Sequence, residues 1–352
     1  MFEDFPKTRL EFEQRFSTQE GCLSYIFRLR WPQGFVCPHC AHTGKAWSTN
    51  RELFVCPACR RQTSVTAGTI FHRTRKPLTL WFRAIWYITC HKHGGNALGL
   101  QRELGLSYHT AWEWLHKLRL AMVRPDRDLL SGLVEVDESF IGGSKPGKAG
   151  RGAEGKVLIA VAVEDRGDEG FGRIRLHRIP DASSDSLLGF IQTHIAPESQ
   201  IRTDGWRGYS KVGQSGFEHL VVVAKKQKEA GEDALPLCHR VISLFKRIWV
   251  STFQGAIRPE HLDRYLEEFT FRFNRRKAKY RTLLAFRLLE YAVVCQPCPA
   301  KHIEQGLGRQ SRRKPRLTDG LQVVSRPRRP EPALPLPVAA QAPLRDLPPL
   351  PF

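Results

Sequence analysis

The stretch Leu133-Val134-Glu135-Val136-Asp137-Glu138-Ser139-Phe140-Ile141 decides the fold of this chain, because its apolar and polar residues alternate as in a half-buried β-strand. A continuous apolar run follows at 156–163, and a second alternating segment lies at 172–179. Glycine-rich turns join the three segments, which predicts an antiparallel meander. Asp137 is therefore expected in the first strand of a sheet.

The meander is followed by a predicted helix at 183–194 and by a predicted strand at 199–203 that ends at Asp204. The order of elements is three strands, a helix and a fourth strand, with one aspartate in the first strand and another after the fourth. An RNase-H-like nuclease fold has this order. Strands one and four are neighbours in that fold, so we expect Asp137 and Asp204 to converge. Two such carboxylates can hold Mg²⁺ or Mn²⁺ for phosphoryl transfer. The alternative for each is an aspartate that only shapes a turn.

A third group is expected at His239, which stands 35 positions after Asp204 (239 − 204) at the start of a predicted helix at 239–249. Lys246 lies two helical turns further along the same face. Imidazole titrates near neutral pH, so His239 could bind a metal ion, carry a proton or contact phosphate. The alternative is a histidine that caps the helix or lies on its surface.

Upstream of the sheet, Cys37 and Cys40 form one Cys-x-x-Cys pair, and Cys56 and Cys59 form another, with fifteen residues between the pairs. This spacing is typical of a zinc ribbon with four thiolate ligands. A segment of about thirty residues cannot bury enough apolar area to fold alone, and a structural Zn²⁺ supplies roughly 10 kcal/mol. A chance cluster or a redox dithiol is the alternative.

Between the ribbon and the sheet, helices are predicted at 81–88, at 96–104 and from 108 to about 122. Gly105 and Ser107 separate the last two as a C′ glycine and an N-cap serine, which is typical of a helix-turn-helix. The residues expected to contact bases or phosphates are Tyr108, His109 and Thr110. A helical hairpin that only packs is the alternative.

The charge of the chain favours a polyanionic partner. With 55 Lys and Arg against 35 Asp and Glu, the formal net charge is +20, which suits nucleic acid, with an anionic membrane surface as the rival. The sequence has no apolar run of 18 residues and no secretory signal, so we expect a cytoplasmic, nucleoid-associated protein without a membrane partner. Over 264–279 cations alternate with aromatics, and we expect Tyr265 and Phe269 to be buried. The arginines expected to touch DNA phosphate are Arg272, Arg275 and Arg276.

These patterns predict a multidomain chain of the α+β or α/β class, with a mixed sheet flanked by helices. The expected units are an N-terminal helical segment (1–30), a zinc ribbon (31–75), a helix-turn-helix region (76–124), an RNase-H-like catalytic domain (132–290) and a tail (305–352). The tail should be disordered, because nine of the chain's 23 prolines fall within 327–352 and no periodic apolar face remains there.

Several stretches of the sequence resemble bacterial insertion-sequence transposases of the ISXO type. They are Thr66-Ala67-Gly68-Thr69-Ile70-Phe71, Leu104-Gly105-Leu106-Ser107-Tyr108, Val136-Asp137-Glu138-Ser139-Phe140-Ile141-Gly142-Gly143, Thr203-Asp204-Gly205-Trp206-Arg207-Gly208-Tyr209 and Phe269-Thr270-Phe271-Arg272-Phe273-Asn274-Arg275-Arg276. The resemblance implies a zinc ribbon, a helix-turn-helix and a DDE-type RNase-H-like domain. In that family the third catalytic position is Glu, Asn or His with a following Lys, which falls here on His239 and Lys246.

The resemblance also implies a reaction. Metal-dependent cleavage would free a 3′-hydroxyl at the end of a mobile element, and that hydroxyl would attack target DNA. Because two ends must be brought together, a homo-oligomer is expected during the reaction. Two other functions stay open on the residues alone: a DNA-binding regulator without catalysis, and a general metal-dependent nuclease on the same core.

Overall fold

The computed structural model of the chain describes residues 5–124, 126–142, 156–223 and 233–306. The strands are β1 (Trp47–Ser48), β2 (Leu53–Val55), β3 (Gln62–Ser64), β4 (Leu133–Ile141), β5 (Val157–Asp165), β6 (Phe171–Arg178), β7 (Gln200–Thr203) and β8 (Glu218–Val221). The helices are α1 (Arg9–Arg15), α2 (Gln19–Arg30), α3 (Leu78–Cys90), α4 (Ala97–Leu104), α5 (Tyr108–Ala121), α6 (Ser184–His194), α7 (Pro236–Ser251), α8 (Leu262–Phe273), α9 (Leu283–Val294) and α10 (Ala300–Glu304). Within the described ranges, no helix combines the length and apolar character needed to cross a bilayer. The tail predicted to be disordered lies outside the described residues from 307 onward.

A five-stranded sheet in the order β6-β5-β4-β7-β8 organises the second half of the chain. β4 pairs antiparallel with β5, and β5 pairs antiparallel with β6. β7 runs parallel to both β4 and β8. The predicted mixed sheet, its opening meander and the adjacency of its first and fourth strands are confirmed.

Helices cover both faces of this sheet and decide which way the acidic side chains point. Asp137 is paired with Val161, which packs in the apolar cluster formed with α7 and α8. Glu138 is paired with Ala160, which packs in the cluster formed with α6. Cross-strand partners share a face, so Asp137 faces α7 and Glu138 faces α6.

The N-terminal half contains the two predicted small modules. β1, β2 and β3 form a three-stranded antiparallel sheet around the cysteine pairs. Helix α4 ends at Gly105, whose φ of 62° is left-handed. The Ser107 hydroxyl accepts the Thr110 N–H and caps α5. The two helices of the predicted helix-turn-helix are thus present with the expected turn.

Helix α9 returns from the half of the chain that contains the five-stranded sheet to the N-terminal half. Leu284, Leu288 and Leu289 are fully buried in the apolar core that α2, α3 and α5 also line. The ring centroid of Phe286 lies 5.5 Å from that of Phe5. The domain end expected at residue 290 cuts across this packing, because α9 buries its apolar face on the N-terminal helices and not on the sheet. We therefore propose to count α9 with the N-terminal unit.

Candidate active site and zinc centre

Asp137 and Asp204 occupy neighbouring positions on two parallel strands. The pairing of β4 with β7 runs from Leu133 opposite Gln200 to Glu135 opposite Arg202. The same register continued by two residues sets Asp137 beside Asp204, which directly follows β7. Adjacent strands lie about 4.8 Å apart, so these two carboxylates share one end of the strand pair and one face of the sheet.

The carboxyl group of Asp137 is in an environment that disfavours its charge. The residue is 9% exposed, and burial raises the pKa of Asp137 to about 7. The charges of Glu138 and Asp204 contribute to this rise, whereas His239 and the Glu138 N–H, which donates to Oδ1 at 2.8 Å, act against the shift. Bound cations would relieve this repulsion.

His239 approaches Asp137 from the first turn of α7. Its Nε2 lies 3.5 Å from Asp137 Oδ2, and its Nδ1 lies 2.6 Å from Asp233 Oδ1. A carboxylate on one imidazole nitrogen fixes the ring so that the other nitrogen points in a defined direction. Asp233 thus orients His239 toward Asp137.

Glu135 fastens the start of α7 to β4. It is fully buried, and its Oε2 accepts the N–H groups of Leu237 at 2.9 Å and Cys238 at 3.0 Å. These are orphan donors of the first turn of α7, and a carboxylate at a helix N-terminus also complements the helix dipole. Arg202 on β7 donates to the other oxygen, Oε1, at 3.2 Å. A residue two positions before Asp137 therefore places the helix that carries His239.

Lys246 extends the site along α7. The side chain is exposed, but protein atoms around the ammonium lower its pKa by loss of solvation, and Lys156 lowers it too. The charge of Asp137 acts in the opposite direction and raises the pKa of Lys246. Lys246 therefore lies on the same side of the helix as the carboxylate site.

A hydrogen bond on the opposite face of the sheet links the turn after Asp204 to β4. Tyr209 is fully buried, and its hydroxyl donates to Glu138 Oε2 at 2.7 Å. Asp204 itself accepts the N–H of Trp206 at 3.0 Å, which closes a tight turn. This pairing holds the segment after Asp204 next to the residue that follows Asp137.

Three of these positions were not singled out in the sequence: Glu135, Asp233 and Tyr209. A signal existed for Glu135, because residues 135 and 137 of a strand point to the same face. Asp233 lies only six residues before His239, but it precedes α7, so no helical spacing relates the two positions, and the partner of Tyr209, Glu138, lies 71 positions earlier in the chain.

The carboxylate site suits a hard divalent cation that also binds substrate. Among the described residues, only the four ribbon cysteines form a cluster of three or more possible metal ligands within 4.8 Å of one another, so the site at Asp137 and Asp204 is less closed. Mg²⁺ is commonly held by one or two carboxylates together with substrate phosphates and water. Two aspartates on one face therefore fit such an ion, with the remaining positions left for DNA oxygens.

The four cysteine thiols fit a tetrahedral Zn²⁺. Cys37 and Cys59 Sγ lie 3.6 Å apart, as do Cys40 and Cys56 Sγ. Zinc–sulfur bonds of about 2.3 Å in a tetrahedron require sulfurs roughly 3.8 Å apart, so little movement is needed. Burial acts to raise the pKa of Cys37, but main-chain N–H groups of His39 and Cys40 and the neighbouring thiols bring it down to about 6. A thiolate is thus favoured at Cys37; at Cys40 the His42 N–H acts in the same direction, but burial and the neighbouring thiols raise the pKa to about 12.

Each cysteine pair sits on the same kind of turn. The N–H of Ala41 donates to the carbonyl of Cys37 at 3.0 Å, and the N–H of Arg60 donates to the carbonyl of Cys56 at 2.9 Å. Ala41 and Arg60 both have left-handed backbones, with φ of 58° and 59°. The two halves of the ribbon therefore present their sulfurs in matching geometry.

The residues predicted to read DNA lie at the start of α5. Tyr108 is 55% exposed, and His109 is exposed with its Nε2 2.8 Å from Glu304 Oε1 of α10. Thr110 is half-buried, and its hydroxyl accepts a hydrogen bond from Ser107 at 2.9 Å. Their contact with DNA stays a prediction.

The expectation that Arg272 touches DNA phosphate is wrong. Its side chain is buried and donates to the main-chain carbonyls of Ile88, Thr89, His91 and Lys92 at the end of α3. Helix α8 packs on more than one side, so it buries cations that an amphipathic helix on the surface would expose to solvent.

The other two arginines of this segment are half-buried. Arg275 donates to the Phe271 carbonyl and the Tyr291 hydroxyl, and Arg276 donates to the carbonyls of Phe171 and Gly172. For these two, phosphate contact stays a prediction. Of the pair expected in the core, Phe269 is buried and Tyr265 is half-buried.

Comparisons with known proteins agree with this arrangement. Residues 17–62 match the transposase zinc-ribbon domain, and residues 129–274 match the ISXO2-like transposase domain. An "uncharacterized transposase-like protein" of Haemophilus influenzae is 26% identical over 122 residues, which are 33% of this chain and 93% of that protein. With both domains in the expected order, the chain belongs to the family of ISXO2-like transposases.

Proposed function

We propose that this transposase cuts DNA at the ends of its insertion sequence and joins the freed 3′-hydroxyl to target DNA, using divalent metal ions at Asp137 and Asp204. The observation that carries the proposal is the β4–β7 register, which sets the two carboxylates side by side under the start of α7. His239, held by Asp233, completes the group on that face.

The residues of the site divide the work of phosphoryl transfer. Asp137 and Asp204 supply the oxygen ligands. When bound, Mg²⁺ or Mn²⁺ would activate the attacking oxygen and stabilise charge on the leaving one. The oriented imidazole of His239 completes the metal site or moves a proton, and Lys246 meets a phosphate oxygen of the DNA.

The N-terminal modules bring DNA to this site. The zinc ribbon and α4–α5 recognise the terminal repeats, with Tyr108, His109 and Thr110 at the contact. Joining two ends to one target requires two active sites, so the reaction proceeds in a dimer or larger assembly of this chain.

The test uses the purified full chain, oligonucleotides that carry its element's terminal repeats, and Mg²⁺ or Mn²⁺. We expect nicked and joined products, and a fall in rate of at least about 100-fold for Asp137→Asn and for Asp204→Asn, because each removes charge stabilisation from the transition state. Asp185→Asn is the matched control, since Asp185 is an exposed aspartate of α6 paired with Lys211.

Two outcomes would overturn the proposal. Sequence-specific binding without cleavage, unchanged in Asp137→Asn, would indicate a regulator. Cleavage of unrelated DNA at the same rate as terminal repeats would indicate a general nuclease.

A further inference from the structure

A cavity of about 240 Å³ lies where the linker after α5 meets β6 and α8. We call it the junction pocket. Its charged lining residues are Arg124, Arg127, Asp128, Arg173, Arg175, Glu267 and Arg275. Five arginines face two carboxylates there, so the lining carries a surplus of three positive charges.

Three of the five arginines have carboxylate partners. Arg127 makes two hydrogen bonds to Glu267, at 2.6 and 2.9 Å. Arg173 binds Glu164 at 2.7 Å, a carboxylate that does not line the pocket. Arg124 reaches Asp128 at 3.2 Å. These pairs hold the linker against the core, but they leave part of the pocket's charge unbalanced.

Two arginines are held without a counter-charge. Arg175 is 4% exposed and donates to the main-chain carbonyls of Ile174 and Asp128, at 2.9 and 2.6 Å. Arg275 donates to the Phe271 carbonyl and the Tyr291 hydroxyl. Within the described ranges, neither guanidinium has a carboxylate within 4.0 Å. A buried cation without an ion pair is costly, so a further anion would be stabilised here.

Two more observations point to a missing anion. Burial and the charges of Arg127 and Arg173 together lower the pKa of Arg175 to about 10, against the opposite effect of Glu267 and Glu164. Thr270 also lines the pocket, and its buried hydroxyl has no hydrogen-bond partner. A phosphate oxygen could accept from this hydroxyl and at the same time reduce the repulsion among the guanidinium groups.

We propose that the junction pocket binds a phosphate group, and that the phosphate is one of the DNA backbone. Guanidinium groups match phosphate oxygens with two parallel hydrogen bonds, which makes clustered arginines better suited to phosphate than to a simple halide. The choice of DNA as the source of the phosphate rests on the proposed function. The pocket lies on the linker between the helix-turn-helix and the five-stranded sheet. A DNA phosphate bound there would hold the DNA between the helix-turn-helix and the proposed active site.

The first experiment measures phosphate binding by the full chain with its structural zinc, as the shift of the melting temperature with inorganic phosphate at constant ionic strength, in buffer without added Mg²⁺ or Mn²⁺. Chloride is the reference anion. We expect phosphate to stabilise the wild type and to bind about tenfold more weakly to Arg124→Gln, because a charge-assisted hydrogen bond is lost. Arg124 is the most exposed arginine of the pocket to carry an ion pair, so its replacement threatens the fold least.

Two further variants make the result decisive. Arg275→Lys keeps the charge but removes the planar fork, and we expect it to lose phosphate affinity as well. Arg9→Gln removes an exposed, ion-paired arginine of α1 and should bind phosphate as the wild type does. An equal shift of the melting temperature with phosphate in all four proteins, or no shift in the wild type, would overturn the proposal that the pocket binds phosphate.

The second experiment distinguishes DNA from free phosphate. The protein is titrated with duplexes of unrelated sequence at several salt concentrations, again without added Mg²⁺ or Mn²⁺. Arg124→Gln should weaken binding of every duplex to a similar degree and lower the salt slope by about one, as expected for the loss of one phosphate contact. Unchanged DNA binding alongside lost phosphate binding would overturn the assignment to DNA. Neither assay depends on strand cleavage, so an inactive enzyme would contradict the proposed function and leave this pocket intact.

Discussion

Asp137 makes the metal-free protein less stable than an uncharged residue would at the same place. Its pKa rises from 3.8 to about 7 on folding. The ionised form is therefore disfavoured in the fold, and stability contributed by this residue falls as the pH rises from about 4 to 7 and stays low above that.

We expect Asp137→Asn to be more stable than the wild type in buffer without added Mg²⁺ or Mn²⁺, with a gain that is small at pH 4.5 and reaches about 1–4 kcal/mol at pH 7.5. Denaturant unfolding at the two pH values measures it. Asp185→Asn, an exposed aspartate, should show no such pH dependence. An Asp137→Asn protein that is less stable at pH 7.5, or equally stabilised at both pH values, would contradict the electrostatic account.

At the residue scale, the sequence identified the acidic pair because each aspartate ends or lies within a recognisable strand. Asp233 escaped notice although it lies only six residues before His239, because it precedes the helix and no helical spacing relates the two positions. Arg272 was misassigned for a related reason: its helix turns that position toward the carbonyls that end α3.

At the scale of elements, the junction of β4 with α7 controls the geometry of the site. Glu135 accepts two N–H groups of the first turn of α7, and His239 is in that turn. We expect Glu135→Gln to lower the cleavage rate by roughly 10- to 100-fold, a loss of the size seen when groups that orient metal ligands are replaced. Glu135 is thus a positioning residue that acts through His239.

A double-mutant cycle separates this role from a general loss of stability. If Glu135 acts through His239, Glu135→Gln should cost little additional rate in a His239→Ala background. Ser183→Ala is the control, because it removes the N-cap of α6, which carries none of the site residues. Additive losses in the cycle, or an equal loss in the control, would mean that Glu135 only supports the fold.

The strands were easier to predict than the helix that completes the site. β4 spans the same nine residues that alternation in the sequence indicates, since successive side chains of a strand point to opposite faces of the sheet. α7 begins at Pro236, three residues before the predicted start. Its first donors are satisfied by Glu135, about a hundred residues earlier in the chain, and local sequence rules do not include such a partner.

At the scale of the whole molecule, the chain is not a simple series of domains. The zinc ribbon, α3 and α5 precede the catalytic sheet, whereas α9 follows it and packs into the same core as they do. The N-terminal unit therefore cannot complete its core until the sheet and the segment through Val294 have been made. The core of the N-terminal unit therefore forms from segments on both sides of the five-stranded sheet in sequence.

This arrangement predicts where a mutation in α9 is felt. Leu288 is fully buried in the N-terminal core, so Leu288→Ala should cost about 2–5 kcal/mol, the range for leucine truncation in a packed core. Val294→Ala, on the same helix but 70% exposed, should cost close to nothing. Hydrogen exchange should show the loss of protection in α2, α3 and α5 before it shows any in β4 and β5, because those helices share the cavity. Loss confined to the sheet would instead place α9 with the catalytic domain.

DNA binding should then weaken in Leu288→Ala through the helix-turn-helix, although the substitution is 167 residues (288 − 121) after the end of α5.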